Sequence, residues 1–174
     1  MKRDSEEERY PAVHRGKEQA VLTEAERQEI EKEIRNYMYP RAGCLDALKI
    51  IQKHHGWVAD EHLADLAPLL GMTADEVEGV ATFYPFVFRR PVGRHIIYVC
   101  DSFVCWAMGY EAVFQALINY LGVSWGDTTV DGRFTLLPAA CLGQCDKAPA
   151  IMVDRDLHGD VSPEKIEAIL KRYV

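Results

Sequence analysis

The amino-acid sequence predicts an α+β fold in which a bundle of helices precedes a small α/β domain. Apolar residues recur three or four positions apart between Thr23 and Tyr84, which is the spacing of amphipathic helices. After Gly93 the period changes, and the run HIIYVC at 95–100 is typical of a buried strand. The chain has 174 residues, of which 48% are hydrophobic and 27% charged, so it can bury at least one substantial hydrophobic core.

Start and stop signals predict the first two helices. Thr23 and Glu26 form a capping box at the start of the first helix, which we expect to end before Pro40. A second helix is predicted over about 42–55, with Gly56 as its C-terminal stop.

The third and fourth helices are predicted in the same way. Asp60 is the expected N-cap of the third helix, which ends at Gly71 and has Pro68 as its weak point. Thr73 and Glu76 begin the fourth helix with another capping box. Four short helices therefore occupy residues 23 to 84.

Strands and helices alternate in the second half. After the first strand we expect a loop over 101–107, a helix over 110–121 and a second strand over 134–139. A hairpin over 150–161 and a last helix over 162–173 complete the chain. This order is that of a small thioredoxin-like α/β domain whose first two strands are joined by a right-handed crossover.

The predicted organisation has three parts: a mobile charged tail over 1–22, a helical domain over 23–90 and an α/β domain over 91–174. Lys and Arg number 20 against 27 Asp and Glu, and the net charge of −7 disfavours nucleic acid or an anionic membrane as a partner. The sequence contains no apolar run of the ~20 residues that span a bilayer, and its acidic N-terminus does not resemble a signal peptide. We expect a cytoplasmic chain with reduced thiols.

Four of the five cysteines form two pairs. Cys100 and Cys105 have four residues between them, and Cys141 and Cys145 have three. Each pair lies at the end of a predicted strand, so the two pairs converge if the strands are parallel neighbours. Two tetrahedral irons bridged by two sulfides need four thiolates, two at each iron. The pattern favours a [2Fe-2S] cluster with one pair on each iron.

Other interpretations of the cysteines stay open. Structural zinc usually takes cysteines with about two residues between them, and a redox dithiol has Cys-x-x-Cys at a helix start. Neither spacing occurs here. The fifth cysteine, Cys44, is expected in the helical core. His54, His55 and His62 have no cysteine or paired acid at metal spacing, so surface or capping roles are favoured.

The residues around the two pairs suit an anionic cofactor. Gly109 and Gly143 let backbone N–H groups approach sulfur. Asp101, Asp146 and Lys147 adjoin the cysteines and either tune the cluster or are solvated loop charges. No glycine-rich phosphate loop occurs, so a partner must bind any nucleotide and flavin that supply electrons.

Several motifs closely resemble the E subunit of bacterial respiratory NADH:quinone oxidoreductase, complex I. They are CDSFVC at 100–105, DGRFTLLP at 131–138, CLGQCDK at 141–147, LDALKIIQK at 45–53, GWV at 56–58 and VEGVATFY at 77–84. The resemblance implies a helical N-terminal domain followed by a thioredoxin-like [2Fe-2S] ferredoxin domain. It also implies that one [2Fe-2S] cluster is held by Cys100, Cys105, Cys141 and Cys145.

The resemblance further implies partners and a location. Family members dock on a flavoprotein subunit that binds NADH and FMN, among the other peripheral-arm subunits, and their cluster exchanges single electrons with the flavin. The complex would hold the chain on the cytoplasmic side of the bacterial inner membrane, without insertion of the chain itself. Related chains serve NAD-linked hydrogenases and formate dehydrogenases, and a structural zinc module for assembly is the alternative from a different class.

Overall fold

The computed structural model describes residues 22–173. The predicted tail, apart from Leu22, lies outside the described residues. Leu22 itself is buried in the helical core, and its N–H donates to Oδ2 of Asp65 at 3.0 Å.

Four helices form the first part of the fold, as predicted. They are α1 (Glu24–Ile34), α2 (Cys44–His55), α3 (Asp60–Leu70) and α4 (Ala74–Phe83). A 3₁₀ turn over Pro40–Gly43 leads into α2.

Both predicted capping boxes are present. In α1 the Thr23 N–H donates to Oε2 of Glu26 at 2.8 Å, and the Glu26 N–H donates back to Oγ1 of Thr23 at 3.3 Å. Thr73 and Glu76 repeat the arrangement at the start of α4. The side chains thus satisfy N–H groups that have no partner within the helix.

The start of α3 differs from the prediction. The N-cap is Ala59, and Asp60 is the first helical residue. The ring of His62 folds back instead, and its Nδ1 accepts the Ala59 N–H at 3.0 Å. Pro68 does not break the helix, which continues to Leu70.

The second part contains a four-stranded sheet. Its strands are β1 (His95–Cys100), β2 (Phe134–Ala139), β3 (Ile151–Val153) and β4 (Asp156–His158), in the order β2-β1-β3-β4. β1 and β2 are parallel neighbours, whereas β3 is antiparallel to both β1 and β4. The predicted hairpin is present, but its second strand ends at His158 rather than continuing to Val161.

Three helices accompany the sheet. α6 (Tyr110–Leu121) matches its prediction. The last helix is shorter than the predicted 162–173, because a 3₁₀ turn over Pro163–Lys165 precedes α7 (Ile166–Leu170). The expected loop over 101–107 is wrong, because Phe103–Ala107 forms a short helix, α5. The segment has no Gly or Pro before Gly109, so its N–H groups can bond back along the chain, as from Trp106 to the Ser102 carbonyl at 2.9 Å.

Two large apolar cores are separate in sequence. One lies among α1–α4 and is centred on side chains such as Leu48 and Leu66. The other lies between the sheet, α6 and α7, around side chains such as Ile97 and Leu117. A division into domains near residue 90 stays a prediction, and no helix within residues 22–173 is long and apolar enough to cross a membrane.

Candidate four-cysteine site

The parallel pairing of β1 and β2 brings the two cysteine pairs together. Cys100, the last residue of β1, is in register with Ala139, the last residue of β2. Cys105 follows β1 on α5, and Cys141 follows β2 by two residues. Cys145 begins a 3₁₀ turn over Cys145–Lys147.

The four thiols form one contiguous cluster. Sγ of Cys141 and Sγ of Cys145 are 3.8 Å apart. The Cys100 thiol is within hydrogen-bonding reach of the thiols of both Cys105 and Cys141. Cys100 and Cys105 are buried, at 2% and 1% exposure, whereas Cys141 and Cys145 are exposed. One pair therefore forms the inner wall of the site and the other forms its rim.

Burial and hydrogen bonds set the acidity of these thiols. Burial is the main cause that raises the pKa of the Cys105 thiol to about 11, and its hydrogen bond to Cys100 adds to the rise. In contrast, the N–H of Gly143 donates to Sγ of Cys141 at 3.4 Å and lowers the pKa of that thiol. The hydrogen bond and negative charge of Cys141 raise the pKa of Cys145. Binding of a metal by these thiols as thiolates would therefore release protons.

The donor set fits a binuclear iron–sulfur cluster. Two sulfurs that bind one tetrahedral metal at about 2.3 Å lie about 3.8 Å apart, which is the observed Cys141–Cys145 separation. A [2Fe-2S] cluster requires two protein thiolates at each iron, and the site offers two pairs.

Backbone segments from outside the two pairs support the loop that carries Cys145. The Asp160 N–H donates to the Lys147 carbonyl at 2.6 Å, and the Val161 N–H donates to the Pro149 carbonyl at 3.0 Å. A methyl group at Gly159 would lie only 2.5 Å from Cβ of Lys147. The chain after β4 therefore packs directly against the loop that carries Cys145.

Sequence reasoning missed two features that face the thiols. One is α5, which Ser102 could have signalled, since Ser is a common residue just before a helix. The other is the Ala150 N–H, which hydrogen-bonds to the Cys105 thiol and lowers its pKa against the effect of burial. No local signal identifies that donor, because only the pairing of β3 with β1 places Ala150 beside Cys105.

The charged residues proposed beside the cysteines are all exposed. These are Asp101, Asp146 and Lys147. The negative charge of Asp146 contributes to the raised pKa of Cys145, after the larger effects of Cys141 and burial. Gly143 has φ +79°, a conformation that favours glycine, and its N–H faces sulfur as expected.

The remaining candidates lie in the helical part. Cys44 is buried in the core, as predicted, and burial raises the pKa of its thiol to about 11. His54 pairs with Glu29 at the surface, with 2.7 Å between Nε2 and Oε2. His62 has the expected capping role but is buried, and its ring lies 4.3 Å from that of His55.

The fold and the four thiols together define a class of protein. It is a thioredoxin-like domain that holds four convergent cysteine thiols at the C-terminal ends of two parallel strands. A family model described as thioredoxin-like [2Fe-2S] ferredoxin matches residues 30–174.

Curated relatives narrow the class further. The chain is 54% identical to the E subunit of NADH-quinone oxidoreductase from Pseudomonas aeruginosa over 154 residues, which are 88% of this chain and 93% of the relative. It is 52% identical to the Escherichia coli protein of the same name over 152 residues, 87% of this chain and 92% of that protein. The chain belongs to the thioredoxin-like [2Fe-2S] ferredoxin family, in the branch formed by the E subunits of NADH-quinone oxidoreductases.

A solved structure extends the similarity to another enzyme. The air-oxidised NAD⁺-reducing [NiFe]-hydrogenase matches with a TM-score of 0.63 and 26% identity over 75% of this chain. The match spans 22% of the hydrogenase chain.

Proposed function

We propose that Cys100, Cys105, Cys141 and Cys145 ligate the [2Fe-2S] cluster of this chain, with one pair on each iron. The observation that carries the proposal is the convergence of the four thiols at the ends of β1 and β2. The chain serves as an electron-transfer subunit of an NADH-quinone oxidoreductase, an enzyme of the oxidoreductase class. It carries electrons and has no substrate site of its own.

The proposed partner is the subunit that binds NADH and FMN. NADH gives up two electrons as a hydride, a flavin accepts both and releases them singly, and a [2Fe-2S] cluster accepts one at a time. The sequence has no nucleotide-binding loop, so the nucleotide and the flavin belong to the partner. Other peripheral-arm subunits complete the assembly, which holds the chain on the cytoplasmic side of the bacterial inner membrane.

We further propose that residues 23–90 and 91–174 are separate domains. The two large apolar cores support this division, because each draws its side chains from one side of the boundary. All four proposed ligands then belong to the second domain.

Cluster reconstitution tests the proposal. The full chain, loaded without oxygen, is expected to bind two irons and two sulfides, to absorb visible light, and to give a rhombic paramagnetic signal when reduced. Replacing any one of the four cysteines by serine should weaken or abolish this signal. A colourless protein that binds one zinc would support the structural alternative instead.

Cys44→Ser is the matched control. Cys44 lies in the helical core and is not a proposed ligand, so the variant should keep the spectrum of the unmodified chain. Loss of the cluster in this variant would contradict the ligand assignment.

A second candidate follows from the hydrogenase match. The same chain architecture in an NAD⁺-reducing hydrogenase supports an equivalent electron-transfer role there. Purification of the native complex separates the two candidates, because only the quinone-linked enzyme reduces quinone and only the hydrogenase contains nickel.

A further inference from the structure

The two pairs of thiols differ in their access to small molecules in solution. Cys141 and Cys145, which we call the rim pair, are exposed. Cys100 and Cys105, which we call the inner pair, are 2% and 1% exposed, and the side chain of Leu142 packs against them. Oxidation of a cysteine requires that the oxidant reach its sulfur. A small oxidant in water therefore meets the rim pair first.

The two sulfurs of the rim pair are close enough to be joined by a small movement. Their Sγ atoms lie 3.8 Å apart, whereas a disulfide bond is about 2.05 Å long. Cys141 follows β2 by two residues and Cys145 begins a 3₁₀ turn, so both lie outside the strands. Gly143 lies between them with φ +79°, a conformation that turns the chain back on itself. The sulfurs can therefore approach each other without any movement of the sheet.

The inner pair is held more firmly by the sheet. The Cys100 thiol lies within reach of the Cys141 thiol, but its backbone is fixed on both sides. Cys100 pairs with Ala139 of β2, and its N–H donates to the Ala150 carbonyl at 3.1 Å. Movement of Cys100 would weaken these contacts with both neighbouring segments. Cys145 is therefore the thiol that reaches Cys141 at the lowest structural cost.

We propose that, before the cluster is inserted, a peroxide converts the rim pair into a Cys141–Cys145 disulfide that prevents insertion until a dithiol reduces it. This inference rests on the proposed function, because it takes both cysteines as cluster ligands. One rim thiol attacks the peroxide, the O–O bond breaks, and a sulfenic acid and one water form. The other thiol then attacks that sulfur, and the S–S bond forms as a second water leaves. The two thiols lose two electrons, and the peroxide is reduced to two waters.

The disulfide affects both the cysteines and the cluster. It removes two of the four thiolates that a [2Fe-2S] cluster needs, while the inner pair stays reduced. It also protects the exposed sulfurs from irreversible oxidation to sulfinic acid. A dithiol restores both thiols by thiol–disulfide exchange. Cluster insertion is thereby limited to reducing conditions.

The first test exposes the reduced, metal-free full chain to hydrogen peroxide and maps its thiols by mass spectrometry. Trypsin places the inner pair on peptide 95–133 and the rim pair on peptide 134–147, because no Lys or Arg lies within either peptide before its last residue. We expect peptide 134–147 to lose two hydrogen atoms and to bind no alkylating agent. Peptide 95–133 should keep both thiols for at least about tenfold longer.

Two variants check the assignment. Cys145→Ser should abolish the loss of two hydrogen atoms, whereas Cys44→Ser, which removes a buried cysteine of the helical core, should keep it. Three results would overturn the inference: a disulfide within peptide 95–133, a disulfide that joins the two peptides, or rim thiols that are oxidised without a disulfide. Rim thiols that survive peroxide as long as the inner pair would also overturn it.

The second test measures cluster transfer from a loaded [2Fe-2S] scaffold protein, without added thiol or free sulfide. The oxidised chain should take up less than about a tenth of the iron that the reduced chain takes up, and dithiothreitol, removed before transfer, should restore full uptake. Equal uptake by the two forms would overturn the block on insertion. If the reduced chain itself binds no cluster, the proposed function is wrong, whereas the peptide map decides separately whether the disulfide forms.

Discussion

Gly159→Ala directly tests the contact between the chain after β4 and the loop that carries Cys145, which we call the Cys145 loop. The added Cβ would lie 2.5 Å from Cβ of Lys147, 2.9 Å from the Lys147 carbonyl oxygen and 3.2 Å from Cδ of Gln144. Two of these neighbours are backbone or attached directly to it, so a side-chain rotation cannot relieve the clash. Either the Cys145 loop or the chain after β4 must move.

The expected cost combines overpacking with lost hydrogen bonding. Overpacking by one methyl group costs about 1–3 kcal/mol. Separation of the two segments also weakens the bonds from the Asp160 N–H to Lys147 and from the Val161 N–H to Pro149, each worth about 1 kcal/mol. We expect Gly159→Ala to lower the free energy of unfolding by about 3 kcal/mol and to reduce the iron content, because Cys145 lies on the displaced loop.

Denaturant unfolding and iron analysis of the reconstituted protein measure both effects. Gly79→Ala is the control, because Gly79 lies in α4, has ordinary helical φ and would place its Cβ in open space. That variant should gain about 0.5–1 kcal/mol and keep its iron. The reasoning is refuted if Gly159→Ala unfolds within about 0.5 kcal/mol of the unmodified chain and binds the same amount of iron.

Two further predictions concern the helical part. Burial is the main cause that lowers the pKa of His62 below its ordinary value of 6.5, and its neutral Nδ1 accepts the Ala59 N–H. The contribution of His62 to stability is therefore complete above about pH 6.5 and declines as the pH falls through 6.5 towards the lower folded pKa. Urea unfolding at pH 7.5 and 5.5 should show this decline in the free energy of unfolding, and the decline should be smaller in His62→Asn. An equal decline in both proteins would exclude His62 as its source. Thr23→Ala removes the acceptor for the Glu26 N–H and should lower the free energy of unfolding by about 1 kcal/mol in the same assay. An unchanged free energy of unfolding would show that the cap contributes nothing to stability.

Local signals account for the accuracy of the sequence predictions in the first half of the chain. Capping boxes, helix-ending glycines and apolar spacing act within a few residues, so the four helices agree with their predicted positions. The predicted cap at Asp60 is wrong because the preference of Asp for N-caps competes with His62, whose buried ring accepts the Ala59 N–H instead.

The sequence alone determined the number and spacing of the thiols, the switch from helices to strands, and through its motifs the resemblance to the E subunits of complex I. Those properties depend on residue identity and on short-range periodicity. Whether four sulfurs meet depended on which strands pair, and the parallel register that places Cys100 beside Ala139 is a tertiary property. The same holds for the Ala150 N–H at the Cys105 thiol and for the close approach of Gly159 to Lys147. These contacts join segments distant in the chain, and no local preference encodes them because only the packed sheet brings their backbones together.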